Sequence, residues 1–132
     1  MPSYNKRAQS PCETTLENIE ISLLSKIFMN SPEGVRWSND DIVPRAIRGK
    51  IAGSKNRVTG YRQIRCPKFV FKLINKPAID SFTYAHRICV IIRDQQPIPP
   101  SFVINHLDFN KDNNTVGNLE VCTQAENMAY SR

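Results

Sequence analysis

The chain has 132 residues, 40% of them apolar and 23% charged, with a net charge of +6 and a mean hydropathy of −0.41. That is one domain's worth of an ordinary globular protein, long enough to bury about two thirds of its unfolded surface, and neither low-complexity nor collagenous. The longest apolar run, Ile88 to Ile92, falls far short of the roughly 20 residues a membrane-spanning helix needs. The first ten residues include Lys6 and Arg7 with no apolar segment behind them, so a secretory signal is not expected and the reading is a cytoplasmic protein.

Charge is concentrated in one part of the chain. Residues 31–76 carry eleven Lys and Arg against Glu33, Asp40 and Asp41, whereas residues 77–132 carry four basic residues against six acids. A basic middle beside a mildly acidic end suits a surface for a polyanion next to a site for a cation. The four cysteines, Cys12, Cys66, Cys89 and Cys122, form no CxxC pair, and the last three lie in apolar stretches, where a free thiol acts as a small buried hydrophobe. This fits a reducing compartment and argues against a zinc site.

In chain order, Leu16, Ile19, Leu23, Leu24, Ile27 and Phe28 recur at spacings of three and four, which predicts an amphipathic helix over 13–29. Thr14 and Glu17 form a capping box at its start, and Asn30 to Gly34 a turn that stops it. Ile42, Val43, Ala46, Ile47 and Ile51 predict a second helix near 40–51, with Pro44 in its first turn. Gly53 to Arg57 reads as a basic loop, able to track a phosphate backbone or simply solvated. Beyond Gly60 the pattern turns β-like, over 61–65, 69–74 and 82–92, with a helix over 84–92 as the alternative. Arg62, Arg65, Lys68 and Lys72 interleave with apolar residues as on a sheet with a basic face. Pro97, Pro99 and Pro100 then impose an extended connector.

The last thirty residues carry the chemistry. Phe102 to Ile104 is a short strand that delivers Asn105 and His106, and residues 107–117 form a loop dense in Asn and Asp. Leu119 to Cys122 is a return strand, and Thr123 with Glu126 a second capping box that opens a final helix carrying Asn127.

This order of strand, polar loop, strand and helix resembles the ββα-metal module of the HNH endonuclease family. The resemblance rests on Asn105-His106-Leu107-Asp108, Asn110-Lys111-x-Asn113-Asn114, Asn118-Leu119-Glu120 and Glu126-Asn127. Asn at the third motif position, the Tyr84-x-His86-Arg87 stretch and the Pro-rich connector are most similar to the phage and intron-encoded homing-endonuclease branch. The implied fold is α+β: an N-terminal helical segment, a small antiparallel sheet and a C-terminal ββα-metal (His-Me finger) module. Residues 1–59 would be a helical, basic, DNA-contacting region and 60–132 the nuclease domain, with the module at 102–132.

The resemblance further implies that His106 is the general base activating water and that Asn118 belongs to the catalytic set by locking the loop without touching substrate. Asn105 and Asn127 would hold one Mg²⁺, or Mn²⁺, by their amide oxygens, hard donors that suit these ions and make a poor zinc site. Arg62, Arg65, Lys68, Arg87 and Lys111 are the candidates for DNA contact, Arg87 being equally suited to a structural ion pair. His86, in an apolar run, is expected to pack rather than ligate, and Asn113 and Asn114 to be turn residues. Phe109 stands where the family commonly has Gly, so the loop must avoid a left-handed conformation there or bear the strain of one. The implied function is Mg²⁺-dependent DNA endonucleolysis by a monomer or homodimer. The alternative is a non-catalytic DNA-binding protein that keeps the scaffold.

Overall fold

A computed structural model describes residues 15–126, in an α+β arrangement of short helices and small antiparallel sheets. Thr14, Cys12 and Asn127 lie outside the described residues.

The helix expected over 13–29 is divided. A 3-10 turn at Leu16–Asn18 is followed by extended Ile19, and α1 spans only Ile21–Ile27. Phe28 then opens a hairpin, β1 (Phe28–Ser31) with β2 (Gly34–Trp37), in register Phe28↔Trp37 to Ser31↔Gly34. The Pro32-Glu33-Gly34 segment expected to end a helix is therefore a hairpin turn. Gly34 takes φ +126, and Ser31 Oγ donates to the Gly34 carbonyl at 2.7 Å. Phe28 and Trp37 stack at 4.7 Å between ring centroids, which rewards strand pairing where a helix would have separated them.

No helix forms near 40–51; residues 41–50 run as successive turns. Asp40 Oδ1 accepts the Ile42 N–H at 3.0 Å, and Arg48 donates to the carbonyls of Val43 and Asp41. These side chains occupy backbone groups that a helix would pair internally. Only Val43 of the expected apolar stripe is fully buried.

A three-stranded antiparallel sheet follows, β3 (Ser54–Lys55), β4 (Arg62–Arg65) and β5 (Phe82–Tyr84), in that order. The strand expected over 69–74 is instead α2 (Lys68–Leu73), which begins after Pro67 and buries the adjacent Val70 and Phe71. A strand would have put those two side chains on opposite faces. Arg62 and Arg65, three apart on β4, likewise face opposite ways, so they do not form a single basic face of the sheet. The 82–92 run divides into β5 and α3 (Ala85–Asp94), whose Ala85, Ile88, Cys89, Val90 and Ile91 are buried. α3 is the central element. One hydrophobic cluster joins it to Leu16, Leu24, Ile27, Phe28, Val35, Ile64 and Leu119. Gln95 ends α3 in a left-handed conformation, φ +54, and the Pro-rich connector leads to the last hairpin. No described helix is long and apolar enough to cross a membrane.

Candidate active site

β6 (Phe102–His106) and β7 (Leu119–Thr123) pair antiparallel from Phe102↔Thr123 to His106↔Leu119. The register puts Asn105 and His106 at the loop end of the hairpin, both buried, at 7% and 6% exposure. Beyond β7, Thr123 N–H donates to Glu126 Oε1 at 2.8 Å and Glu126 N–H to Thr123 Oγ1 at 3.2 Å. The second capping box is thus formed, and residues 124–126 are helical.

The loop between the strands is held by side chains bonding backbone. Asn118 Oδ1 accepts the Asp108 N–H at 3.1 Å, while Asn118 Nδ2 donates to Asp108 Oδ1 and to the Asn113 carbonyl, both at 2.9 Å. Leu107 N–H donates to the Asn118 carbonyl at 2.8 Å, so Asn118 ties both ends of the loop. Asp108 also accepts from the Asn113 amide at 2.7 Å and the Asn110 N–H at 2.8 Å. These donors, Asn113 first, hold its carboxyl below the usual carboxylate range. Phe109, whose N–H donates to the His106 carbonyl at 2.9 Å, takes φ +62. The loop therefore bears the left-handed conformation that a glycine would adopt without strain.

His106 Nε2 lies 2.9 Å from Asn114 Oδ1, and Asn114 is 2% exposed. An amide oxygen can only accept, so Nε2 is the donor in this contact and Nδ1 is the ring nitrogen turned away from Asn114. Asn114 is thus more than the turn residue expected of it. Its role is not legible in sequence, because a loop has no periodicity to tell which of two adjacent asparagines points inward.

A ring cluster surrounds this imidazole. The His86 ring is 5.1 Å from that of His106 and stacked on Tyr84 at 5.4 Å, with Tyr61 5.3 Å from His86 and 6.1 Å from His106. Burial foremost, then the neighbouring His106 and Arg87, lowers the His86 pKa from 6.5 to about 3, and its buried Nδ1 has no hydrogen-bond partner. His86 thus packs as a neutral ring.

The basic candidates are dispersed. Arg62 makes a two-point pair with Asp112, at 2.8 and 3.3 Å, and donates to the Gly53 carbonyl. Arg87 is paired with partly buried Glu17 at 2.7 Å, and Glu17 also accepts from Thr83 Oγ1, so this carboxylate serves an ion pair. Arg65 is 63% exposed and paired with Asp80 at 2.6 Å. Lys68 and Lys111 are exposed, and the Lys111 ammonium sits 5.0 Å from the Tyr61 ring centroid.

Among the described residues, no group of three His, Cys, Asp or Glu side chains is placed to hold a metal ion. The one described member of the expected ligand pair is Asn105, whose buried Nδ2 has no hydrogen-bond partner. Cys66, Cys89 and Cys122 are free and buried, as expected of small hydrophobes.

The model of the family described as HNH endonuclease matches residues 83–129, from within β5 through α3 and the whole β6–β7 hairpin. This segment belongs to the HNH endonuclease family. At family level the match assigns the HNH segment to the nucleases, hydrolases that act on DNA and generally use a divalent metal. No curated protein and no solved structure gives a significant match.

Proposed function

We propose that the protein is a DNA endonuclease of the homing type, in which His106 is the general base and one divalent cation, Mg²⁺ or Mn²⁺, assists at the scissile phosphate. The observation that carries this reading is the His106–Asn114 bond at 2.9 Å, which sets the tautomer and leaves Nδ1 as the basic nitrogen. Asn105 and Asn127 would hold the cation, which when bound supplies charge stabilisation at the phosphate. Asn118 is a positioning residue: by fixing Leu107, Asp108 and Asn113 it fixes the loop on which Asn114 sits. In this reading Arg65, Lys68 and Lys111 meet the DNA phosphates, while Arg62 and Arg87, already engaged by Asp112 and Glu17, hold the surface in shape.

The non-catalytic alternative keeps the scaffold and is favoured by the two neutral amide ligands, whereas the His106–Asn114 bond supports the catalytic reading. The deciding assay is nicking of supercoiled plasmid with Mg²⁺. His106→Ala is expected to lose about 10²–10⁴-fold in rate with DNA affinity nearly intact. A variant as fast as the wild type would remove His106 from the reaction.

A further inference from the structure

The β3–β4 hairpin, residues 54–65, is basic and tied to the loop beside His106. Its tip is a built turn: Asn56 Oδ1 accepts the N–H groups of Val58 and Thr59 at 2.9 and 3.1 Å, and Gly60 N–H donates to the Asn56 carbonyl at 2.8 Å. Asn56 N–H donates across the turn to the Tyr61 carbonyl at 2.8 Å. What this turn displays is Lys55, Arg57 and Val58, all exposed, with Val58 at 94%. The base of the hairpin is fastened by Arg62, which reaches both the Gly53 carbonyl and Asp112 of the loop. Tyr61 lies under Lys111 of the same loop, and a Cβ at Gly60 would stand 3.4 Å from the Lys111 side chain.

We propose that this hairpin enters the major groove of duplex DNA beside the bond to be cut, with Lys55 and Arg57 on phosphates or base edges and Val58 against the groove floor. A two-stranded ribbon fits the roughly 12 Å major groove, and an apolar tip can contact a thymine methyl there. Two cations beside the tip, Lys55 at the end of β3 and Arg57 in the turn, complement the phosphate backbone. Because Arg62 and Lys111 join the hairpin to the loop, seating the hairpin sets the position of His106 along the duplex and so selects the site of cleavage. The inference rests on the DNA reading above.

The test compares the full chain with a variant carrying Lys55→Ala, Arg57→Ala and Val58→Ser together, on a plasmid and on a labelled duplex spanning the site that the wild type nicks most. We expect at least tenfold weaker binding, a salt-dependence slope smaller by about 2, and a broader spread of nicking sites. Methylation of guanine N7 within one helical turn of the nick should interfere with wild-type binding and not with the variant's residual binding. Unchanged affinity and nicking sites, or interference from adenine N3 in the minor groove instead, would overturn the proposal while leaving the nuclease reading in place. A wild type that neither binds nor nicks DNA would overturn both.

Discussion

The imidazole of His106 and the amide of Asn114 meet at 2.9 Å inside the protein, and neither residue is more than 6% exposed. A buried hydrogen bond of this kind orients the ring and sets its tautomer. Asn114→Ala should therefore lower the nicking rate about 10–100-fold at unchanged DNA affinity, the usual effect of losing a group that orients another. Asn114→Asp keeps the acceptor and should restore most of the rate; measured rates that fall equally for both would show that Asn114 only packs.

The module around this pair was legible in sequence because its elements are bounded by strong local signals: a Pro-rich connector before β6, an Asn/Asp-dense loop, and the Thr123–Glu126 box after β7. Residues 16–52 were harder to read because tertiary contacts decide them. Leu16, Leu24 and Ile27 keep helical spacing, but the Phe28–Trp37 stack draws Phe28 into a strand. Phe69, Val70 and Phe71 look β-like one residue at a time, and only burial of the adjacent Val70 and Phe71 shows a helix. Glu17 matched a capping box, yet its carboxylate pairs with Arg87, 70 residues away, a distance that no local pattern encodes.

His86 makes stability depend on pH. Its folded-state pKa of about 3 lies below the ordinary 6.5, so below pH 6.5 the unfolded chain binds a proton that the folded chain does not. The stabilisation is complete above about 6.5 and is lost as pH falls from there toward 3, by at most about 1.4 kcal/mol per pH unit. Melting temperatures of the wild type should fall over this window. Those of His86→Phe, which keeps a ring against Tyr84 and removes the unpartnered Nδ1, should fall less steeply.

Phe109 carries a left-handed backbone, φ +62, and the residue is 65% exposed. Relieving the Cβ clash is expected to make Phe109→Gly more stable than Phe109→Ala by about 1 kcal/mol, since both lose the ring and only glycine loses the strain. The bond from the residue-109 N–H to the His106 carbonyl survives in both. Urea denaturation of the two variants measures the difference, and equal stabilities would mean that the turn relaxes to another conformation.

Arg62 and Asp112 couple the β3–β4 hairpin to the loop through two N–H···O contacts, at side-chain exposures of 23% and 24%. Partial burial and two-point geometry should raise the pair above a solvated surface bridge, to a coupling of about 1 kcal/mol in a double-mutant cycle, only partly screened by roughly 1 M salt. Arg62→Ala should cost more than Asp112→Ala, because it also strips the Gly53 carbonyl of its donor at 2.8 Å. Arg62→Lys should behave nearly as badly as Arg62→Ala, since one ammonium cannot reproduce the planar fork that reaches Asp112 and Gly53 together. A cycle with no coupling would mean that the hairpin and the loop are stable independently, and the mechanical link between groove contact and His106 would then have to run through Tyr61 and Lys111 alone.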